Sequence, residues 1–224
     1  MRYLGLALFA EGSTDHKFLR PLLRRVTEDI CASRASEQVE VSDVLELHSP
    51  PEVLQEGRAN RIAAAAREAA GAWNLLFIHT DGAGDPFLAR HQRTRPASQL
   101  IRAELGSSGG SVVGVVPVRE TEAWVMADGE ALRQAFGTSL DDGALSIPSH
   151  PRLVEHILDP KAALEDAWLA ARGGRSGRRR TKAAAFLQGV GERVRLARLR
   201  DVPAFQVFEA DLVAALNSLG IVRP

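Results

Sequence analysis

The sequence predicts an α/β protein: an open, mainly parallel four-stranded sheet with helices on both faces, followed by a helical C-terminal extension. Two observations carry that reading. Four short apolar runs, at residues 3–10, 39–47, 73–79 and 112–118, each fit a strand, and a stretch of helical period follows each one. Strands that alternate with helices form right-handed βαβ units, which assemble a parallel sheet covered on both sides. The alternation stops near residue 136, dividing the chain into an α/β core (1–136) and a helical extension (137–224) expected to pack on it.

Each element has its own signature. Residues 3–10 (Tyr-Leu-Gly-Leu-Ala-Leu-Phe-Ala) are apolar without alternation, as in a strand buried on both faces. Thr14 stands where it can cap a helix over 15–33, whose apolar positions are Phe18, Leu19, Leu22, Leu23, Val26 and Ile30. Pro21 removes a backbone donor there and predicts a bend or a short first turn. Residues 39–47 partly alternate (Val39, Val41, then Val44, Leu45, Leu47), which suits a more peripheral strand. Pro51 opens an Ala-rich helix to about residue 70. The third strand, 73–79, runs into Thr80-Asp81-Gly82-Ala83-Gly84-Asp85-Pro86, a loop by composition. A helix over 97–105, the fourth strand and a helix over 120–136 complete the core. Further helices are expected over 152–158, 161–171, 181–199 and 204–219. Trp124, Trp168 and Phe186 fall on apolar helical faces and belong in the core.

Composition narrows the function classes. A chain of 224 residues, 45% hydrophobic and 25% charged, has the make-up of a globular protein with one full core. No apolar run approaches the roughly 20 residues that span a bilayer. The first strand stops at Glu11-Gly12 without a basic lead-in or a small-residue cleavage site, so neither a signal peptide nor a membrane partner is expected. The lone Cys31 suits a reducing, cytoplasmic setting and reads as an inert thiol on a helix. Net charge is zero, yet ten Lys or Arg stand against one acid, Glu192, between Arg172 and Arg200. Within that stretch Arg175, Arg178, Arg179, Arg180 and Lys182 are candidate phosphate contacts for nucleic acid. Almost no aromatic residues interleave them, so base stacking has little support. The other reading of these arginines is that they pair with the acidic body. His16, His48, His91, His150 and His156 show no shared spacing that would make a metal cluster. A P-loop is absent, which argues against an intrinsic ATPase.

In an open parallel sheet, ligands bind beyond the carboxyl ends of the strands. Here three such ends carry acids: Glu11-Gly12-Ser13-Thr14-Asp15, then His79-Thr80-Asp81 with Asp85, then Arg119-Glu120-Thr121-Glu122. Clustered carboxylates resist ionisation unless a cation neutralises them, and oxygen ligands without Cys point to Mg²⁺ or Mn²⁺. Taken singly, Asp15 also fits a first-turn helix acid, Glu120 and Glu122 fit solvated starting-turn acids, and Asp81-Gly82 fits a common turn.

Four segments in this order, Glu11-Gly12-Ser13-Thr14-Asp15, the strand ending at Asp81, the run from Pro117 to Trp124, and Asp159-Pro160-Lys161, resemble an uncharacterised bacterial family with a Toprim-like core. The resemblance covers nearly the whole chain. It implies a Toprim/Rossmann-like fold and relation to the Toprim domain of OLD-type nucleases, which act in phage defence. It also implies roles: Glu11 as metal ligand or general acid/base, and Asp81 as the second acid of an Asp-x-Asp motif. Glu120 and Glu122 would match the later acidic pair for a second ion, and Lys161 a lysine facing the scissile phosphate. Asp15 and Asp85 join the expected ligand set. The chain departs from the family pattern at His79, which replaces the first acid of that motif. Histidine ligates Mn²⁺ better than Mg²⁺, and Asp85 is the candidate replacement carboxylate. The resemblance therefore implies a metal-dependent nuclease working beside a partner ATPase, with an oligomer possible. Its alternative is an inactive nucleic-acid-binding or protein-interaction subunit.

Overall fold

The computed structural model describes residues 1–106, 110–173 and 181–223. Four strands, β1 (Arg2–Phe9), β2 (Val39–Leu47), β3 (Leu75–His79) and β4 (Ser111–Val115), form one all-parallel sheet in the order β2-β1-β3-β4. The sheet is the expected open α/β one, with β1 and β3 central and β2 at an edge. Alternation within β1 sorts its side chains: Leu4, Leu6 and Leu8 enter one hydrophobic cluster, Ala7 and Phe9 the other. β3 is buried throughout, as its continuous apolar sequence required.

The broken alternation in β2 has a cause. Leu4 pairs with Val41 but Leu6 with Val44, so β2 carries one extra residue there, a bulge. Ser42 fills the irregularity by accepting the Leu6 amide at 2.9 Å. Val41 and Val44 consequently face the same side.

From β1 the chain moves outward to β2 through α1 (Ser13–Arg34), then returns through α2 (Arg58–Glu68) to β3 on the other side of β1. Reversing direction while keeping right-handed crossovers puts α1 and α2 on opposite faces. Accordingly α1 packs in the larger cluster, whereas α2 and α4 (Arg95–Leu105) pack in the smaller. The reversal point lies between the carboxyl ends of β1 and β3, where open sheets of this class bind ligands.

Several boundaries differ from expectation. α1 starts at Ser13 with Gly12 rather than Thr14 as its cap, and it carries Pro21 inside without interruption. Pro51 begins only a 3₁₀ turn, Pro51–Val53, and the Ala-rich helix waits for Gly57. Ahead of α4 lie α3 (Pro86–Ala89) and a π-helical turn, Arg90–Thr94. The expected 120–136 helix is split into α5 (Thr121–Val125) and α6 (Gly129–Phe136), because Asp128 leaves the helix to cap the second piece through the Glu130 amide.

The extension contains a 3₁₀ segment, Pro151–His156, then α7 (Pro160–Ala171), a 3₁₀ turn Ala183–Ala185, α8 (Leu187–Arg193), α9 (Leu196–Leu199) and α10 (Pro203–Ser218). The single helix expected over 181–199 is thus three short pieces. Trp124 is fully buried against Phe205 and Phe208 of α10, and Phe136, Trp168 and Phe186 stack together. One continuous cluster therefore joins the sheet, α1 and the extension. Among the described residues, no helix is long and apolar enough to cross a membrane. Cys31 is buried, and burial pushes its thiol up to about 11, away from reactivity.

Candidate active site

The site is assembled where β1 and β3 end. Asp15, in the first turn of α1, accepts the Gly12 amide on Oδ2 at 2.9 Å and the Thr121 hydroxyl on Oδ1 at 2.8 Å. A carboxylate only accepts, so the Thr121 proton points at Asp15. The same Thr121 oxygen lies 3.0 Å from Nε2 of His79, and that contact works only if Nε2 carries the proton and donates. His79 is fully buried. Its Nδ1 has no hydrogen-bond partner among the described residues and lies 3.7 Å from Oδ2 of Asp15. Asp81 approaches the ring from the other nitrogen, with Oδ1 3.4 Å from Nε2, and that oxygen is likewise buried without a hydrogen-bond partner.

Asp15, His79 and Asp81 thus each offer a ligand atom, all within 4.8 Å of one another. Two buried polar atoms without partners beside a carboxylate are unfavourable as they stand, and a cation among them would satisfy them. The residues present fit a divalent ion, and one imidazole with two carboxylates suits Mn²⁺ better than Mg²⁺.

A second group stands beside the first. The Glu11 carboxylate accepts the Thr80 hydroxyl at 2.5 Å and lies 3.3 Å from Arg58 and 3.6 Å from Arg93. Arg58 also donates to the His79 carbonyl at 2.7 Å, and burial lowers its pKa against the pull of Glu11. Arg61 is near enough to repel Arg58, and Nε of Arg58, Arg61 and Arg119 are all buried without partners among the described residues. Arg58, Arg61 and Arg93 against Glu11 and Asp81 leave a local positive excess, a suitable place for a phosphate. Arg58, Arg61 and Arg93 were not singled out by sequence. They arrive from α2 and the π-helical turn rather than from strand ends, and π-turns of this kind often occur at functional sites.

The third strand end supplies Glu120 and Glu122. Glu120 accepts the Lys161 amide at 3.3 Å, and Glu122 lies 3.9 Å from the Lys161 ammonium. Burial pushes the Glu122 carboxyl above its ordinary range, while Lys161 opposes that rise. A cleft of about 370 Å³ opens here between Glu122, Lys161, Thr14 and Lys182. Lys161 therefore occupies the place expected for a second ion's charge.

Asp85 is spent elsewhere: exposed, it caps α3 by accepting the Leu88 amide at 2.9 Å. Arg175, Arg178, Arg179 and Arg180 lie outside the described residues. Beyond them, Arg195 pairs with Asp128 and Arg200 with Asp29 and Glu209, whereas Arg193 pairs with its neighbour Glu192 and Lys182 lines the cleft beside Lys161.

The loop between β3 and α3 is pinned against the segment after β4. Gly82 and Gly84 donate to the carbonyls of Arg119 and Val118 at 3.0 and 2.7 Å. A Cβ at residue 82 would meet the Pro117 oxygen at 2.3 Å, so only glycine allows this approach. It fixes Asp81 and Thr121 side by side. Comparison with protein-family models, with curated proteins and with solved structures found no match to this chain.

Proposed function

We propose that this chain is a metal-dependent nuclease of Toprim type, in which Asp15, His79 and Asp81 hold a divalent ion, Mn²⁺ ahead of Mg²⁺. One observation carries the reading: buried, unpartnered polar atoms of His79 and Asp81 meet the Asp15 carboxylate at the reversal point of the sheet. A bound ion supplies Lewis acidity to a phosphodiester and an activated water. The chain's own groups supply the rest. Thr121 fixes the Asp15 carboxylate and the His79 tautomer. Arg58, Arg61 and Arg93 bind and orient the phosphate, and Glu11 holds two of those guanidiniums in place. Lys161, its side chain 61% exposed, leaves its 3.9 Å pairing with Glu122 to meet the scissile phosphate. The sequence has no P-loop, so ATP-driven steps, such as those of a phage-defence effector, fall to a separate partner ATPase.

A second reading rests on a different observation. Glu11 is already balanced by Arg58 and Arg93, and Glu122 by Lys161, so these acids do not require an ion. Such a chain would bind nucleic acid or a protein partner without cutting.

One experiment separates the two. Purified protein is titrated with Mn²⁺ in a calorimeter and incubated with plasmid DNA and labelled RNA. The nuclease reading expects one ion bound and Mn²⁺-dependent cleavage. Both should be lost in Asp81→Asn and His79→Ala. Arg58→Ala should keep the ion but weaken the nucleic acid contact. Nucleic acid binding with neither ion uptake nor cleavage would establish the second reading instead.

A further inference from the structure

On the outer side of α1, two histidines that share no sequence spacing meet. Register brings them together: β2 lies beside β1, which places the end of β2 next to the first turn of α1. Glu46 and His48, two residues apart, share a side of that strand end, and His16 comes down on them from the helix. His16 Nδ1 lies 3.6 Å and His48 Nε2 3.5 Å from the same oxygen, Oε1 of Glu46. The rings are 5.7 Å apart between centroids. Both nitrogen–oxygen separations exceed hydrogen-bond length. His16 Nδ1 has no hydrogen-bond partner among the described residues, although the side chain is only 6% exposed.

Three donor atoms thus surround one point without bonding to each other, and a buried nitrogen is aimed at that point. We propose that His16, Glu46 and His48 form a zinc-class metal site, distinct from the Asp15, His79 and Asp81 cluster. Ligands about 2.0–2.1 Å from a tetrahedral Zn²⁺ are separated by roughly 3.4 Å, close to the spacing found here. Two imidazole nitrogens and one carboxylate oxygen suit Zn²⁺ and Co²⁺, hold Mn²⁺ weakest of the transition-metal series, and disfavour Mg²⁺ and Ca²⁺. All three ligand atoms lie within 4.8 Å of one another. A neighbouring guanidinium orients Glu46. Its other oxygen, Oε2, pairs with Arg20 at 3.4 Å, which leaves Oε1 turned toward the histidines.

Three protein ligands leave a fourth position, as in zinc sites that accept water or substrate. His16 and Glu46 line a cleft of about 640 Å³, in which Lys17, Arg20, Arg24 and Arg25 are matched by Glu28, Asp43 and Glu192.

The inference does not depend on the nuclease reading, and the test keeps them apart. Chelator-treated Asp81→Asn protein, which has lost a ligand of the first cluster, is titrated with Zn²⁺ by calorimetry and with Co²⁺ by visible absorption. The expected result is one equivalent bound, with the intense bands of tetrahedral Co²⁺. Adding His48→Ala or Glu46→Gln should weaken binding at least about tenfold. His48 is 74% exposed, so its replacement leaves the fold intact, which circular dichroism checks. Binding that is unchanged by His48→Ala, or absent from the Asp81→Asn protein but present in the parent, would overturn the proposal.

Discussion

Glu122 shows how one side chain at the site is set by its surroundings. It is 6% exposed, and loss of water pushes its carboxyl above the ordinary carboxylate range, with Asp15 and Glu120 adding to the rise and Lys161 opposing it. A carboxyl raised in the folded state costs stability once it ionises. The cost is fully present above the folded pKa and disappears as pH falls through that value toward the unfolded one. Glu122→Gln should therefore be more stable than the parent at pH 8, with the difference closing toward pH 4. Urea midpoints at several pH values measure it, and a difference independent of pH would contradict the burial argument. Asp15 differs in kind. Both its oxygens are engaged, by the Gly12 amide and by Thr121, so the residue is an ordinary first-turn acid that also stands in the candidate ligand cluster.

At the scale of elements, α1 and α8 pack in close backbone contact. A Cβ on Gly191 would lie 2.4 Å from the Phe18 carbonyl oxygen and 2.8 Å from the Pro21 ring. Backbone cannot retreat as a side-chain end can, so Gly191→Ala should cost about 1–3 kcal/mol, read as a lower urea midpoint with unchanged slope. The same contact is why Pro21 does not break α1: the helix is held along this face by α8 from outside. Tertiary support of that kind is invisible in a local pattern, and so are several other boundaries. Four apolar runs gave four strands because β1 and β3 are buried on both sides. The 120–136 stretch looked like one helix because its apolar residues are continuous, and only the buried capping role of Asp128 reveals the break. The acids of the site were legible because they sit at strand ends, where the fold class itself points. Arg58, Arg61 and Arg93 were not, since they come from helical segments whose rotation toward the site depends on packing. The pairing of His16 with His48 depends on the register of β2 against β1, bulge included, which spacing along the chain cannot express.

Across the whole molecule, the core and the extension are joined by a polar clasp as well as by apolar contact. Asp128 is fully buried between α5 and α6, and Arg195, between α8 and α9, meets it with its amide and Nε at 2.9 Å and Nη2 at 2.5 Å. Burial alone would raise the Asp128 carboxyl, but the Arg195 bonds outweigh it and hold it below the ordinary range. Removing the guanidinium leaves a buried carboxylate short of donors, so Arg195→Ala should cost about 2–3 kcal/mol at pH 7. The sign with pH follows from the lowered value. This stabilisation is complete above the unfolded carboxylate pKa and is lost as pH falls below about 4 toward the folded one. The gap between parent and Arg195→Ala should be widest near pH 7, start to close as the variant's carboxyl, raised by burial without its guanidinium, takes up a proton, and be small by pH 3. Because the same apolar cluster runs from the sheet through the extension, the variant should still unfold in one transition. Two transitions would mean that the clasp, and not the apolar cluster, couples the extension to the core, and a gap that stays fixed down to pH 3 would mean that Arg195 does not act through the Asp128 charge.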